Sequence, residues 1–408
     1  MRNNLHYVNR AAFLFLLVLV AYMAVGCSEE STGPNDNPPP LPGKHLWSKR
    51  FGDGSNQHAK AAAVDASGNV IVAGDFWGTV DFGGGALTDA GDEDIFVAKF
   101  GPDGAHLWSK RFGDVDAQYA QSVAIDALGN VIVAGDFWGS VDFGGGALTY
   151  AGNGDIFVAK FGSDGAHLWS KRFGDGDYPQ YAQSVAIDAS GNVIVAGYFS
   201  GTIDFGGGAL TSAGYSDIFV AKFGSDGGHL WSKRFGDGAS QYAFAVAVDA
   251  SENVIVTGYF YDAVDFGGGA LTSAGLKDIF VAKFDPDGAH LWSKRFGDGS
   301  DQEPTAVAVD ASGNAIVTGD FWGSVDFGGG ALTCAGADDI FVAKFGSDGA
   351  HLWSKRFGDG NAQHANAVAV DASGSVIVTG DFNATVDFGG GALTSAGGSD
   401  IFVAKFGP

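Results

Sequence analysis

The feature that most constrains this chain is a nine-residue segment, HLWSKRFGD, that returns along its length. Copies begin at His45, His106, His167, His229, His290 and His351, in steps of 61, 61, 62, 61 and 61 residues. A fixed period of this kind is the signature of a repeat architecture, in which copies of one structural unit stack to share a core. The chain is therefore expected to fold as a series of equivalent units.

Each unit reads as four short strands joined by turns. In the first unit the strand segments are residues 57–66, 69–76, 94–100 and 106–114. Asp65 and Gly68 mark a tight turn between the first two, and the sequence GPDG at residues 101–104 marks another between the last two. Because no segment has a sustained helical period, the sequence predicts an all-β protein.

Four antiparallel strands repeated six times favour a six-bladed β-propeller over residues 45–408. The alanine-rich first strand suits the crowded axis, and the HLWSKRF strand, with its lysine and arginine, suits the outer edge. The last unit begins near residue 363 and stops after its third strand. Residues 45–53 are therefore predicted to complete the last blade and close the ring.

One recurring pattern resembles a known bacterial family. The residues Asp-x-x-Gly-Asn-Val-x-Val-x-Gly, then Asp-x-Phe-Val-x-Lys-Phe, then x-Leu-Trp-Ser-Lys are similar to the SBBP β-propeller repeat, and they recur over residues 45–408. The resemblance implies a secreted or surface-exposed propeller and leaves its role undefined.

Charge narrows the range of partners. The formal net charge is −24, and only five of the 47 acidic residues are glutamate. Such a surface repels phosphates, so nucleic acid is not expected as a partner. Aspartate in this excess is typical of turn caps, and the periodic Asp81, Asp142, Asp204, Asp265, Asp326 and Asp387 are interpreted as caps rather than cation ligands. The repeated lysines and arginines are interpreted as structural residues of the periphery.

The first 44 residues predict a membrane anchor. Residues 1–26 carry Arg2 and Arg10 ahead of a short apolar run, as a signal peptide does. The run ends at Gly26-Cys27, which resembles the lipobox of bacterial lipoproteins and implies lipidation, including a palmitate chain, at Cys27. Residues 27–44 then read as the lipidated cysteine and a proline-rich tether. The expected location is the cell outer membrane if the source is Gram-negative, and otherwise the extracellular surface.

The copies differ mainly in two loops that a four-stranded blade places at one end. We predict a ligand-binding face there, and its aromatic candidates are Trp77, Trp138, Trp322, Tyr261, Tyr119, Tyr181 and Tyr242. The ligand would be a glycan, a peptide or an envelope protein, bound by a monomer without a cofactor. No catalytic residue or metal ligand is predicted, because nearly every polar residue recurs in equivalent places.

Two functional classes stay open. The first is a noncatalytic binding or scaffold module. The second is a propeller hydrolase or lyase with its site at the channel mouth. A continuous aromatic shelf would favour the first class, and a cluster of acids with histidine or tyrosine would favour the second.

Overall fold

The computed structural model describes residues 46–408, and every regular element in that range is a β-strand. The predicted signal peptide, Cys27 and tether lie outside the described residues. Within residues 46–408 there is no helix that could cross a membrane.

Thirty-five strands, β1 to β35 in chain order, build six blades. The innermost strands are β1 (Gln57–Val64), β7 (Gln118–Ile125), β13 (Gln180–Ile187), β19 (Gln241–Val248), β25 (Gln302–Val309) and β31 (Gln363–Val370). The second strands are β2 (Val70–Phe76), β8 (Val131–Phe137), β14 (Val193–Phe199), β20 (Val254–Phe260), β26 (Ala315–Phe321) and β32 (Val376–Phe382). The third strands are β5 (Asp94–Phe100), β11 (Asp155–Phe161), β17 (Asp217–Phe223), β23 (Asp278–Phe284), β29 (Asp339–Phe345) and β35 (Asp400–Phe406). The outer strands are β6 (His106–Phe112), β12 (His167–Phe173), β18 (His229–Phe235), β24 (His290–Phe296) and β30 (His351–Phe357).

Blades 1 to 5 are four-stranded antiparallel sheets that run from the inner to the outer strand in chain order. Successive inner strands pack against one another, from β1 and β7 to β25 and β31. The predicted six-bladed, all-β propeller is confirmed, and so is the innermost position of the alanine-rich strand.

A small hairpin fills the long link between the second and third strands of each blade. The hairpins pair β3 (Thr79–Asp81) with β4 (Ala86–Thr88), β9 (Ser140–Asp142) with β10 (Ala147–Thr149), β15 (Thr202–Asp204) with β16 (Ala209–Thr211), β21 (Ala263–Asp265) with β22 (Ala270–Thr272), β27 (Ser324–Asp326) with β28 (Ala331–Thr333), and β33 (Thr385–Asp387) with β34 (Ala392–Thr394). In blade 1, Val80 and Phe82 are buried in the apolar cluster on one face of the blade. Asp81 Oδ1 accepts from the Gly83 and Gly85 amides at 2.7 and 3.1 Å. The periodic aspartates are therefore turn caps, as predicted.

The core lies between blades, because the third strand of each blade is apolar on both sides. On β5, Ile95 and Val97 belong to the cluster shared with blade 2, while Phe96 and Ala98 belong to the cluster on the opposite face. Aspartate fixes the turn that precedes the second strand: Asp65 Oδ1 accepts from the Ser67 and Asn69 amides, both at 2.9 Å. Blades 2 to 5 are thus sheets held between two neighbouring blades.

The lysine of the third strand is not peripheral, which corrects the sequence interpretation. Lys99 is only 2% exposed, and its Nζ lies 3.0 Å from Asp65 Oδ2. The same ammonium donates to the Ser163 carbonyl of blade 2 at 3.2 Å. This position is buried because the next blade covers it, so a charged partner is needed there.

The segment before β1 packs on blade 1 as an outer strand packs on the blade that follows it. Trp47 Nε1 donates to the Pro102 carbonyl at 3.0 Å, and Phe51 stacks on Phe100 with ring centroids 5.2 Å apart. The equivalent contacts of β6 with blade 2 measure 3.1 and 5.2 Å. This segment therefore occupies the site of an outer strand that would precede blade 1.

The predicted pairing of residues 45–53 with the last blade is not formed among the described residues. Blade 6 has three strands, and residues 46–53 belong to no sheet. Ile401 and Val403 on β35 are 85% and 69% exposed, whereas Ile95 and Val97 on β5 are 0% and 1% exposed. The physical reason is distance: β1 and β31 do not pack together as the other successive inner strands do, and a ladder requires strands about 4.8 Å apart.

Candidate recognition face

The positions at which the copies differ come together at one end of the blades, here called the variable end. It comprises the start of each inner strand, the end of each second strand and the residue before each third strand. In blade 1, His58 pairs with Asp75, and the adjoining Phe76 pairs with Asp94 at the start of β5. Residues that are distant in sequence therefore lie side by side at this end.

Five positions of the variable end differ strongly between copies. The second residue of the inner strand is His58, Tyr119, Tyr181, Tyr242, Glu303 or His364. Two residues further on stand Lys60, Gln121, Gln183, Phe244, Thr305 and Asn366. The last residue but one of the second strand is Asp75, Asp136, Tyr198, Tyr259, Asp320 or Asp381, and two residues later stands Trp77, Trp138, Ser200, Tyr261, Trp322 or Asn383. The residue before the third strand is Glu93, Gly154, Ser216, Lys277, Asp338 or Ser399.

A β-bulge shapes the start of every inner strand. In blade 1 the register with β2 shifts between Ala59 and Ala61, so that Lys60 is an extra residue without a partner. The other five inner strands shift at the equivalent place. A bulge bends a strand and redirects its side chains. The bulge therefore separates the variable first residues of each inner strand from the repeated, alanine-rich residues that follow.

Tyrosines of blades 3 and 4 form a continuous aromatic group. It consists of Tyr181, Tyr198, Tyr242, Tyr259 and Tyr261, and successive ring centroids are 5.1, 4.7, 5.1 and 5.9 Å apart. All five side chains are partly exposed. Burial raises the pKa values of Tyr198 and Tyr259, so both hydroxyls are protonated donors at neutral pH. The group, here called the tyrosine group, offers flat apolar area edged by hydroxyls.

The other predicted aromatics lie outside the tyrosine group. Tyr119 and Trp138 form their own pair, with centroids 6.0 Å apart, and Trp138 lies against Gly154, where an added Cβ would come within 2.8 Å of its ring. Trp77 and Trp322 are 41% and 57% exposed, and neither contacts another aromatic ring within residues 46–408. The structure thus brings together Tyr181, Tyr242 and Tyr261 and leaves the tryptophans on separate blades.

Carboxylates occupy the positions where the tyrosines are missing. Asp136 on blade 2 is 2% exposed and accepts from Gln121 Nε2 at 3.2 Å. Burial raises the pKa of Asp136 to about 7, so part of the population is protonated near neutral pH. A carboxyl in that state can donate as well as accept a hydrogen bond.

An acidic pocket lies where blades 5 and 6 meet. It has a volume of about 400 Å³ and is lined by Asp301, Glu303, Asp320, Asp338, His364 and Asn366. His364 Nδ1 lies 3.5 Å from Asp320 Oδ2, and this contact raises the pKa of His364. On the adjoining blade 4, Lys277 forms an ion pair with Glu303, and its Nζ lies 4.9 Å from the centroid of Tyr259. Charge at the variable end therefore changes from blade to blade.

The repeated histidines of the outer strands play no part in this face. His106 Nε2 hydrogen-bonds Ser109 Oγ of its own strand at 3.0 Å, and the same bond recurs in the next four copies. One such histidine per blade cannot gather around a ligand, so these residues are structural.

Several residues of the face escaped prediction from the sequence. Tyr198, Tyr259, Asp136 and Lys277 stand at positions that vary between copies as much as the predicted ones do. The signal was present, because four copies carry aspartate where two carry tyrosine at the end of the second strand. This variation can be linked to the face only once the antiparallel register is known, because the register places this position beside the second residue of the inner strand.

The fold and this face together define a six-bladed β-propeller that carries unlike side chains at one end of near-identical blades. No family model matches the chain. It is 24% identical to an uncharacterized WD repeat-containing protein of Acanthamoeba polyphaga mimivirus, over 84% of this chain and 31% of that protein. It is 28% identical to the regulatory protein FlaEY of Caulobacter vibrioides, over 40% of this chain and 18% of that protein. The chain thus spans less than a third of either relative.

Solved propellers are similar at low sequence identity. An ulvan lyase, from a polysaccharide lyase family, is 12% identical with a TM-score of 0.44, and the match covers 81% of both chains. A regucalcin from Agrobacterium tumefaciens is 11% identical with a TM-score of 0.37, over 79% of this chain and 81% of that one.

Proposed function

We propose that this protein is a noncatalytic binding module that recognises a neutral glycan at its variable end. The observation that carries the proposal is the tyrosine group, a continuous and partly exposed aromatic surface in a scaffold that otherwise repeats. Aromatic rings stack on the apolar faces of sugars, and tyrosine hydroxyls bond to sugar hydroxyls. Trp77 on blade 1, Tyr119 and Trp138 on blade 2 and Trp322 on blade 5 lie at the same end outside the tyrosine group, and we propose them as separate, additional contacts.

Charge supports a neutral ligand. The chain carries a net charge of −24. Three of its acidic residues, Asp136, Asp320 and Asp338, lie at the variable end near the aromatic residues. An acidic surrounding disfavours anionic partners, including acidic polysaccharides and nucleic acid. A peptide ligand would have to be cationic, and it is the alternative outcome of the experiment described next.

The proposal can be tested by substitutions that introduce only residues already present at the same position of other blades. Changing Tyr198 and Tyr259 to Asp introduces the residue that four other blades carry at this position. We expect the double variant to fold and to lose at least about tenfold in affinity for a neutral glycan, because two stacking rings are removed. The measurement is a glycan array followed by calorimetry with the glycan that binds best.

Leu128→Ser is the matched control. Leu128 is 80% exposed in the tight turn between β7 and β8, at the end of blade 2 opposite the variable end, and the other five copies carry serine at this position. Its affinity should equal that of the unchanged protein. Equal losses in the two variants, or binding only to cationic peptides, would overturn glycan recognition by the tyrosine group.

We further propose that the module is anchored in the cell envelope through Cys27. The support lies in the residues alone: a short apolar run ending at Gly26-Cys27, followed by a proline-rich stretch. More than one acyl chain is required for stable membrane attachment. The outer membrane is the proposed location in a Gram-negative source, with the propeller acting as a monomer.

Metabolic labelling tests the anchor. Cells that express the full chain should incorporate radiolabelled palmitate into it, and Cys27→Ser should abolish incorporation and leave the protein in the soluble fraction. Cys334→Ser, at a position where other copies carry serine, is the control and should be labelled normally. Absence of label from the unchanged protein would rule the anchor out.

The acidic pocket at blades 5 and 6 favours a second candidate, a hydrolase or lyase with its site at this end. A histidine beside two aspartates offers groups that can give and take protons. Release of reducing or unsaturated ends from a polysaccharide that the protein binds would favour this candidate over a noncatalytic module.

A further inference from the structure

Blade 1 carries a cluster of three possible metal ligands at the variable end. His58 on β1, Asp75 on β2 and Glu93 before β5 each offer one ligand atom, and these atoms lie within 4.8 Å of one another. His58 Nδ1 is 2.8 Å from Asp75 Oδ2. Three different elements supply the cluster, so the blade itself fixes its geometry.

One oxygen of the cluster has no hydrogen-bond partner. Asp75 is 1% exposed, and its Oδ1 is buried without any donor within hydrogen-bond distance among the described residues. The nearest cation, Lys60 Nζ, is 3.8 Å away on a side chain that is 39% exposed. A buried carboxylate oxygen left unsatisfied is costly, because it has lost its hydration and gained no donor.

The neighbouring blade shows how the same position is satisfied when no ligand is needed. There Asp136 takes the place of Asp75, and Gln121 in the place of Lys60 donates to Asp136 Oδ1 at 3.2 Å. Tyr119 occupies the place of His58 and offers no imidazole. Blade 1 therefore combines an unsatisfied carboxylate with a histidine, and blade 2 has neither.

The third member is held by a hydrogen bond from outside the cluster. Tyr119 of blade 2 donates its hydroxyl to Glu93 Oε2 at 2.7 Å. Such bonds orient a carboxylate and leave its other oxygen available for a ligand. Glu93 is only partly buried, so an ion could reach the cluster from solvent.

We propose that His58, Asp75 and Glu93 bind one divalent cation, Mn²⁺ or Zn²⁺. One imidazole and two carboxylates suit these ions, and the remaining positions would be taken by water. The ion would satisfy Asp75 Oδ1, and the hydrogen bond from His58 to Asp75 would open to admit it. This site lies on blade 1, apart from the tyrosine group of blades 3 and 4 that carries the glycan proposal.

The test is a titration of the purified full chain with Mn²⁺. Binding is measured by electron paramagnetic resonance as the decrease in the signal of the free ion. Two exchanges with residues of other copies remove ligands: His58→Tyr, as at Tyr119, and Glu93→Ser, as at Ser216. Each should weaken the binding of one ion by at least tenfold. Circular dichroism melts in a chelator would show that both variants remain folded.

His364→Tyr is the matched control, because His364 lies in the acidic pocket beside Asp320 and Asp338, where no buried carboxylate oxygen is unsatisfied. It should leave the ion at blade 1 in place. Absence of Mn²⁺ and Zn²⁺ binding to the unchanged chain would overturn the proposal, and so would binding that survives both His58→Tyr and Glu93→Ser.

Discussion

Replacing Lys222 with methionine should lower the free energy of unfolding by about 3 to 5 kcal/mol, since it removes one partner of a buried ion pair. Lys222 Nζ lies 2.8 Å from Asp188 Oδ2, and the two side chains are 4% and 0% exposed. The ammonium also donates to the Pro286 carbonyl of blade 4 at 3.2 Å. The substitution leaves a buried carboxylate with amide donors but no cation. Urea denaturation measures the loss.

Lys405→Met provides the matched control at the same position of blade 6. There the lysine and Asp371 are 58% and 29% exposed, because no further strand or blade among residues 46–408 covers the outer side of β35. Water and salt screen an exposed pair, so its removal should change stability little. If Lys405→Met were as destabilising as Lys222→Met, the open edge of blade 6 would be covered in solution and the described arrangement would be wrong.

The Lys222 pair also sets a pH dependence. Burial acts to raise the pKa of Asp188, but hydrogen bonds from Lys222 and Asn192 outweigh it and hold that pKa below its usual value of 3.8. A carboxyl with a lowered folded-state pKa adds stability above pH 3.8, and this stability is lost as the pH falls through the folded-state value. Lys222→Met should therefore flatten the loss of stability in acid.

Deleting residues 46–53 should lower the free energy of unfolding by about 2 to 4 kcal/mol, because Trp47 and Phe51 are each partly buried against blade 1. The deletion would expose Phe82 and Phe100, which those side chains cover. Thermal melts and limited proteolysis of the shortened protein measure the effect.

A point variant tests the packing of Phe51 on blade 1 without shortening the chain. Phe51→Ala should destabilise less than Phe112→Ala, which removes the equivalent ring from the paired strand β6, where it is 7% exposed. A shortened chain with unchanged melting temperature and protease resistance would show that residues 46–53 do not stabilise blade 1.

The blade architecture could be predicted from the sequence because the same strand and turn pattern recurs in six repeats. Alternating apolar residues, the Asp65-type turn and the apolar third strand all point to a four-stranded blade. Two features depended on contacts between blades, which a single repeat does not contain. Lys99 is buried only because blade 2 covers it, and residues 46–53 pack on blade 1 without pairing to β35.

The sequence indicated the end of the blades at which the candidate site lies, but it did not indicate all of the residues that form the site. Variation between copies pointed to the variable end and to Tyr181, Tyr242 and Tyr261, which the structure places in one aromatic group. Tyr198 and Tyr259, which join those three into one group, lie at a position that becomes adjacent only through the antiparallel register. Asp75 was missed for the same reason: its neighbours His58 and Glu93 are separated from it by 17 and 18 residues.

We propose that neutral glycans bind at the variable end of blades 3 and 4. Hydrogen–deuterium exchange with and without the best-binding neutral glycan tests it most directly, since it maps protection along the whole chain. Protection should appear at the start of β13 and β19 and at the end of β14 and β20, with the tight turns at the opposite end unchanged. Protection confined to those turns or to the outer strands would contradict the claim.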